Sequence, residues 1–143
     1  HFSHWFGLDY AVTYFYNAYG KGESHSGKYA TVIAKFLKLK KSGKNFLPIV
    51  KPGNQKRNFT HVNDIVNGLE IVALYGKGDG YGIGSEKSYS IVDLAKLLKM
   101  NYKLIPNRKG NRLSGDLKNN KIKKLGWEEK YNLKDYIKDE LNY

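Results

Sequence analysis

The sequence predicts an α/β fold of one domain's length, and three observations support this prediction. The chain has 143 residues, of which 41% are hydrophobic and 14% aromatic, so it can form a core and is not a disordered chain. Short runs rich in β-branched and aromatic residues alternate with amphipathic stretches of helical period. The chain has no cysteine, which excludes disulfide-stapled folds, thiolate nucleophiles and cysteine metal sites.

The first part of the chain predicts helix, strand, loop and helix in that order. Residues 1–6 read as the last turn of a helix that Gly7 closes. Residues 10–16 are almost continuously apolar, which is typical of a strand covered on both faces. A loop with three glycines over residues 17–28 then leads into an amphipathic helix over residues 29–41.

The middle of the chain predicts a pair of short strands followed by a helix. The strands span residues 46–50 and 57–62, on either side of a turn that contains Pro52 and Gly53. Asn63 is a good N-cap for a helix over 64–75. We expect its apolar stripe to face the core with Val66, Leu69, Val72 and Ala73.

The last part of the chain continues the alternation. A strand is predicted over residues 81–84, and Ser90 with Asp93 forms a capping-box pattern at the start of a helix over 91–99. The remaining elements are a strand, a basic loop and two helices, at residues 102–105, 106–114, 117–125 and 133–141.

The chain is strongly basic, with 25 Lys+Arg against 13 Asp+Glu and a net charge of +12. Such a charge favours a polyanionic partner, because each Lys or Arg that meets a phosphate displaces a counterion. Most of the basic residues are lysines spread along the chain, which indicates solvated faces. One interpretation is nevertheless a small basic module that binds RNA or an anionic surface, with a footprint at Lys118, Lys121, Lys123 and Lys124.

Several function classes find no support in the sequence. The four histidines are scattered, no Ser-His-Asp arrangement has usable spacing, and we expect no metal site. The glycines after the strand over 10–16 lack the G-x-G-x-x-G spacing of a dinucleotide-binding turn. No apolar run approaches the roughly 20 residues that a membrane span needs. A cytoplasmic location is the expectation that fits the absence of cysteine.

Three segments are suited to a ligand that carries phosphates. Asn17 stands at the carboxyl end of a strand, where open α/β sheets place their ligands. Only three of the basic residues are arginines, whose planar fork binds phosphate in a way that lysine cannot copy. Arg57 opens a strand behind a tight turn, and Arg108 lies in a basic loop without a neighbouring carboxylate. Two separated arginines and an amide could clamp a diphosphate.

Five motifs occur in a recognisable order. They are LDYAVTYFYNAYG at 8–20, GNQKRNFTHVND at 53–64, YGIG at 81–84 with SIVDL at 90–94, RKGN at 108–111, and LGW at 125–127. Together they resemble the C-terminal half of NAD-dependent nucleotide-sugar epimerases and dehydratases. These are the extended short-chain dehydrogenase/reductases, to which UDP-galactose 4-epimerase belongs. The resemblance covers nearly the whole chain.

The resemblance implies roles for residues at the diphosphate. Asn17 looks like the family's asparagine that contacts the nucleotide diphosphate. Arg57 resembles the arginine that opens the family's R-D-F/Y motif and binds the same phosphates, and Arg108 resembles the second phosphate arginine. Asn58 departs from the family, which usually has an aspartate directly after the first arginine.

The resemblance also implies contacts to the base, the ribose and the sugar. Val50, with Ile49 beside it, falls where the family places a side chain against the base. Asn111 stands where the family usually has an aspartate that contacts the ribose hydroxyls. Asparagine keeps a hydrogen-bonding group at this position but lacks the negative charge of aspartate. Lys28 and Tyr29, at the start of a helix, could approach the sugar or the phosphates.

The resemblance implies a C-terminal fragment of an extended Rossmann-type enzyme. Residues 1–20 and 63–84 would belong to the nucleotide-binding sheet, and residues 21–62 and 85–143 to the small substrate-binding domain. The family's Tyr-x-x-x-Lys pair and its glycine-rich NAD turn are not found here, so we expect this chain alone to be inactive and to bind no NAD. The whole enzyme would use NAD and form a homodimer. Its partner would be a nucleotide sugar, with no nucleic acid and no membrane, and the fragment would self-associate through unpaired strands.

Overall fold

The computed structural model describes residues 1–27, 29–107, 113 and 115–142. The helices in these residues are α1 (Phe2–Phe6), α2 (Val32–Lys41), α3 (Val62–Tyr75), α4 (Ile91–Leu97), α5 (Asn120–Lys123) and α6 (Leu133–Leu141). The strands are β1 (Ala11–Phe15), β2 (Ala18–Tyr19), β3 (Phe46–Val50), β4 (Lys56–Asn58), β5 (Thr60–His61), β6 (Gly78–Ile83), β7 (Ser88–Ser90) and β8 (Asn101–Ile105). No helix in the described ranges is long and apolar enough to cross a bilayer.

The strands are joined in pairs, most of them parallel. β1 pairs with β6, β2 with β5 and β3 with β8 in parallel, whereas β4 and β7 are antiparallel. Helices lie in the chain between the paired parallel strands β1 and β6 and between β3 and β8, as parallel crossovers require. The α/β fold class predicted from the alternation is therefore confirmed.

The buried apolar side chains form two clusters. The first lies between α2, β3, α4 and α6, and its members include Leu37, Leu47, Ile49, Leu94, Leu98 and Ile137. The second lies between α3, β6 and α5, and consists of Ile65, Val72, Tyr81, Ile83, Ile122 and Trp127. The predicted division of the chain into a sheet part and a substrate-binding part stays a prediction.

β1 is more exposed than its apolar sequence predicts. The side chain of Tyr14 is 49% exposed and that of Phe15 is 54% exposed, so the expectation of cover on both faces is wrong. Within the described residues β6 lies along one edge of β1, and no strand lies along the other. The faces of a strand are covered by helices or another layer packed on the sheet, and within the described residues that cover is incomplete at Tyr14 and Phe15.

α3 begins two residues earlier than predicted and buries a different stripe. Its N-cap is His61, not Asn63, because the ring nitrogen Nδ1 of His61 accepts the backbone N–H of Asn63 at 3.2 Å. The predicted members Val66 and Leu69 are 56% and 37% exposed, and Ala73 is exposed as well. The buried positions are Asp64, Ile65, Gly68 and Val72, of which only Val72 was predicted.

The remaining elements agree with the local signals to different degrees. Gly7 ends α1 in the left-handed conformation, with φ of 67°, and α6 has its predicted bounds. Ser90 and Asp93 form the predicted capping box. The predicted strand over 57–62 is two short strands, and β2 and β7 were not predicted. α5 is shorter than the helix expected over 117–125.

Candidate functional site

Asn17 joins the end of β1 to the chain that carries Arg57. Its backbone has a φ of 38°, a left-handed conformation that asparagine tolerates better than most residues. Its side-chain Nδ2 donates to the carbonyl of Asn58 at 3.1 Å, and its own carbonyl accepts the backbone N–H of Thr60 at 3.3 Å. Asn17 and Arg57 are both predicted to contact phosphate. The structure places Asn17 beside β4, the strand that carries Arg57.

Arg57 is half-buried in β4, where it pairs with Tyr89 of β7. Its Nη1 donates to the carbonyl of Lys56 at 2.7 Å. The next residue, Asn58, donates from Nδ2 to the carbonyl of Ser85 at 2.8 Å. An ionised aspartate could not donate this bond, so the departure from the family's R-D pattern adds a hydrogen bond between β4 and the segment after β6.

Asn17 also lies at one end of a cleft of about 700 Å³. Its walls come from the end of β1, the start of β6 and the segment that contains Asp116 and Lys118. The hydroxyl of Tyr16, which faces this segment, donates to the carbonyl of Asp116 at 3.2 Å and accepts the N–H of Lys118 at 3.2 Å. No signal in the sequence predicts this wall, because the segment lies a hundred positions from Tyr16 and has no motif of its own.

The residues predicted to contact the base and the sugar differ in accessibility. Ile49 is fully buried in the first core, whereas Val50 is half-buried at the end of β3. The carbonyl of Val50 accepts from Nε2 of the buried Gln55 at 3.0 Å, which closes the turn between β3 and β4. Tyr29 is 84% exposed. The predicted contacts Lys28, Arg108 and Asn111 lie outside the described residues.

His61 and Asp64 have the chemistry of catalytic groups but serve the fold. His61 stacks on Tyr131 with 4.4 Å between ring centroids, and its burial lowers its pKa. These contacts identify His61 as a core histidine. Asp64 is 1% exposed, and its carboxylate oxygens accept the backbone N–H groups of Lys130 and Tyr131, each at 3.1 Å. Neither side chain lines the cleft beside Asn17.

Two carboxyl groups are perturbed by burial. Burial raises the pKa of Glu129, and a hydrogen bond from Ser85 opposes that shift. Burial also raises the pKa of Glu23, which accepts a hydrogen bond from the hydroxyl of Thr31. Glu23 and Thr31 together hold the start of α2. Among the described residues no group of three His, Asp or Glu could hold a metal ion.

Two of the four lysines in the alternative RNA-binding footprint make internal contacts. Nζ of Lys121 donates to the carbonyls of Lys77 at 2.8 Å and Asp79 at 2.7 Å, and it lies 4.1 Å from the centre of the Tyr81 ring. Lys123 forms an ion pair with Glu86. These lysines stabilise the start of β6 and the loop after it, so two of the four lysines in the proposed footprint are engaged in contacts within the chain.

Comparison with known proteins gives a consistent result. Residues 1–84 match the model of the NAD dependent epimerase/dehydratase family. A putative UDP-glucose 4-epimerase of Methanocaldococcus jannaschii is 31% identical over 96% of this chain and 46% of its own length. A trifunctional UDP-glucose 4,6-dehydratase/3,5-epimerase/reductase of Arabidopsis thaliana is 28% identical over 96% of this chain and 21% of its own length.

The fold comparison agrees with the sequence comparison. The crystal structure of UDP-glucose 4-epimerase with UDP-glucose from Thermotoga maritima superposes with a TM-score of 0.88 and 30% identity. The match covers 99% of this chain and 48% of that one. The chain thus spans about half, or less, of the length of these relatives. None of the three is named as a nucleic-acid-binding protein.

Proposed function

Because this chain belongs to the NAD-dependent epimerase/dehydratase family, we propose that it is the part of such an enzyme that binds a nucleotide sugar by its diphosphate. The observation that carries the proposal is the hydrogen bond from Asn17 to the carbonyl of Asn58, which puts an amide and the Arg57 strand side by side. An arginine fork and an amide N–H are suited to the oxygens of a diphosphate. The relative from Thermotoga maritima was crystallised with UDP-glucose, which supports this ligand class.

The described residues do not fit the pyrophosphate of NAD. A dinucleotide site needs a glycine-rich turn that leads directly from a strand into a helix. Here Gly20, Gly22 and Gly27 follow β2 but α2 begins only at Val32, and the spacing of the glycines does not match G-x-G-x-x-G. We therefore assign no cofactor contact to this chain and expect no turnover by the chain alone.

In the whole enzyme, bound NAD would supply reversible oxidation of the sugar. The residues of this chain would hold the diphosphate and so orient the sugar, which is the protein's main share of cofactor chemistry. Asn17 and Arg57 would act on the phosphates, and the half-buried Val50 would contact the base. Epimerases and dehydratases share this task, so the proposal covers both.

Calorimetric titration of the chain with UDP-glucose and dTDP-glucose tests the proposal. We expect binding by the parent chain and a loss of roughly tenfold or more in affinity for Arg57→Ala, since a hydrogen bond to a charged group contributes about 1.5 to 3 kcal/mol. Lys44→Ala is the matched control, because it removes one positive charge from an exposed turn after α2. Failure of the parent to bind either ligand, or equal affinity of Arg57→Ala, would contradict the proposal.

A further inference from the structure

The segment that walls the cleft beside Asn17 is tied down at both ends. We call residues 113 and 115–119 the strap. At its start, the carbonyl of Leu113 accepts the backbone N–H of Lys56 at 2.9 Å, directly beside Arg57. At its end, the buried Asn119 donates from Nδ2 to the carbonyl of Gly84 at 3.3 Å. Leu113 thus bonds to β4, and Asn119 bonds to the residue that follows β6.

Tyr16 holds the strap between these two ends. Its hydroxyl both donates to the carbonyl of Asp116 and accepts the N–H of Lys118, at 3.2 Å in each case. Both backbone groups belong to a segment without regular structure, where no ladder would otherwise satisfy them. A phenylalanine at this position could fill the same space but could make neither bond.

Two glycines show how closely the strap is packed. A Cβ atom at Gly82 would lie 2.2 Å from the carbonyl oxygen of Lys118. A Cβ atom at Gly84 would lie 2.6 Å from Leu117 and 2.7 Å from the ring of Tyr16. The backbone of the strap thus packs directly on the end of β6. The ring of Tyr16, at the end of β1, packs against the same two glycines.

We propose that Tyr16 is a positioning residue for the nucleotide-sugar site. Its hydroxyl keeps the strap in place, and the strap links the residue next to Arg57 with the residue next to Asn17. Loss of the two bonds would let the strap move. The distance between Asn17 and Arg57 would then vary more, and the wall of the cleft would be less rigid. This inference rests on the proposed function, because it assigns Tyr16 a role in that site.

Tyr16→Phe tests the inference, with Tyr81→Phe as the matched control. The hydroxyl of Tyr81 makes the same pair of bonds, as it accepts the N–H of Lys77 at 2.8 Å and donates to the carbonyl of Lys77 at 3.2 Å. Those bonds lie at the other end of β6, away from the strap. Three quantities are measured for each variant: the Kd for UDP-glucose, the melting temperature, and the hydrogen-exchange rate of the Lys118 amide by NMR.

For Tyr16→Phe we expect a Kd about tenfold higher and a Lys118 amide that exchanges about tenfold faster. A tenfold change is the size of effect expected from the loss of one or two hydrogen bonds. For Tyr81→Phe we expect a lower melting temperature with an unchanged Kd and an unchanged Lys118 exchange rate. A Tyr16→Phe variant that melts lower but keeps the parent Kd would overturn the inference and leave the proposed function intact. If the parent chain binds no UDP-glucose, the proposed function fails, and the Lys118 exchange rate alone decides whether Tyr16 holds the strap.

Discussion

His61 and Asp64 show how the surroundings of a side chain decide what it can do. The imidazole of His61 caps α3, stacks on Tyr131 and lies against the ring of the buried Tyr19. The carboxylate of Asp64 accepts two backbone N–H groups from the chain before α6. Its backbone carbonyl also accepts the indole N–H of Trp127 at 2.9 Å. These bonds fasten the C-terminal segment to α3.

The stability of the chain should depend on the protonation of His61. Because burial lowers the pKa of folded His61 below 6.5, the unfolded chain binds the proton more tightly. The contribution of neutral His61 is therefore present above pH 6.5 and is lost as the pH falls toward the lower pKa of the folded state. We expect the free energy of unfolding, measured in urea, to decrease over this interval.

His61→Asn should reduce that pH dependence, because asparagine can still cap α3 but does not titrate. His4→Asn, at an exposed position in α1, is the control and should retain the parent's profile. A profile in His61→Asn that falls as steeply as that of the parent would show that other groups cause the pH dependence.

At the scale of single elements, the local signals predict the start of α4 correctly but not the buried face of α3. The capping box of Ser90 and Asp93 is contained in four consecutive residues, and it forms as predicted. The buried stripe of α3 was predicted wrongly, because the helix is apolar on several sides. Ile65, Gly68 and Val72 are buried since Gly68 lets the helix approach Ile83, where a Cβ would lie 2.9 Å from that side chain.

Removal of the capping box should destabilise the chain through α4. The hydroxyl of Ser90 accepts the backbone N–H of Asp93 at 3.0 Å, and the Asp93 carboxylate accepts the backbone N–H of Ser90 at 3.0 Å. We expect Ser90→Ala to lower the free energy of unfolding by about 1 kcal/mol, as for other N-cap deletions. Ser90→Thr keeps the acceptor and should lie close to the parent. Equal destabilisation by both variants would mean that the cap hydrogen bond is not the cause.

At the scale of the whole molecule, the two apolar clusters leave an open region around β1. Its free edge carries unpaired backbone groups within the described residues, and exposed aromatic side chains accompany it. They are Phe2, Trp5, Phe6, Tyr10, Tyr14 and Phe15. An exposed apolar edge strand favours association with another chain.

We therefore expect the chain to self-associate through β1, as measured by sedimentation velocity over a series of concentrations. Association should strengthen with added salt, which screens the repulsion between chains of charge +12. Phe15→Lys should weaken this association roughly tenfold, because it removes the free energy gained by burying one aromatic side chain. Tyr102→Lys is the control, because Tyr102 is also exposed but lies on β8, which pairs with β3 and not with β1. A chain that stays monomeric at high salt would contradict the prediction.

The sequence by itself determined the α/β class, the capping box of α4, the glycine end of α1 and the family, because these depend on residues close together in the chain or on motifs in a set order. It also predicts that Asn17, Arg57 and Arg108 are suited to a diphosphate, and this stays a prediction. Chemical type and position at the end of a strand are local properties that a sequence displays directly.

Only the tertiary structure decided which neighbours each element has. It showed that β1 has no strand along one edge within the described residues, and that the hydroxyl of Tyr16 bonds a strap a hundred positions away. The physical reason is the same in each case. An apolar or polar residue can be recognised from the sequence, but the atoms that cover it or bond to it come from distant parts of the chain.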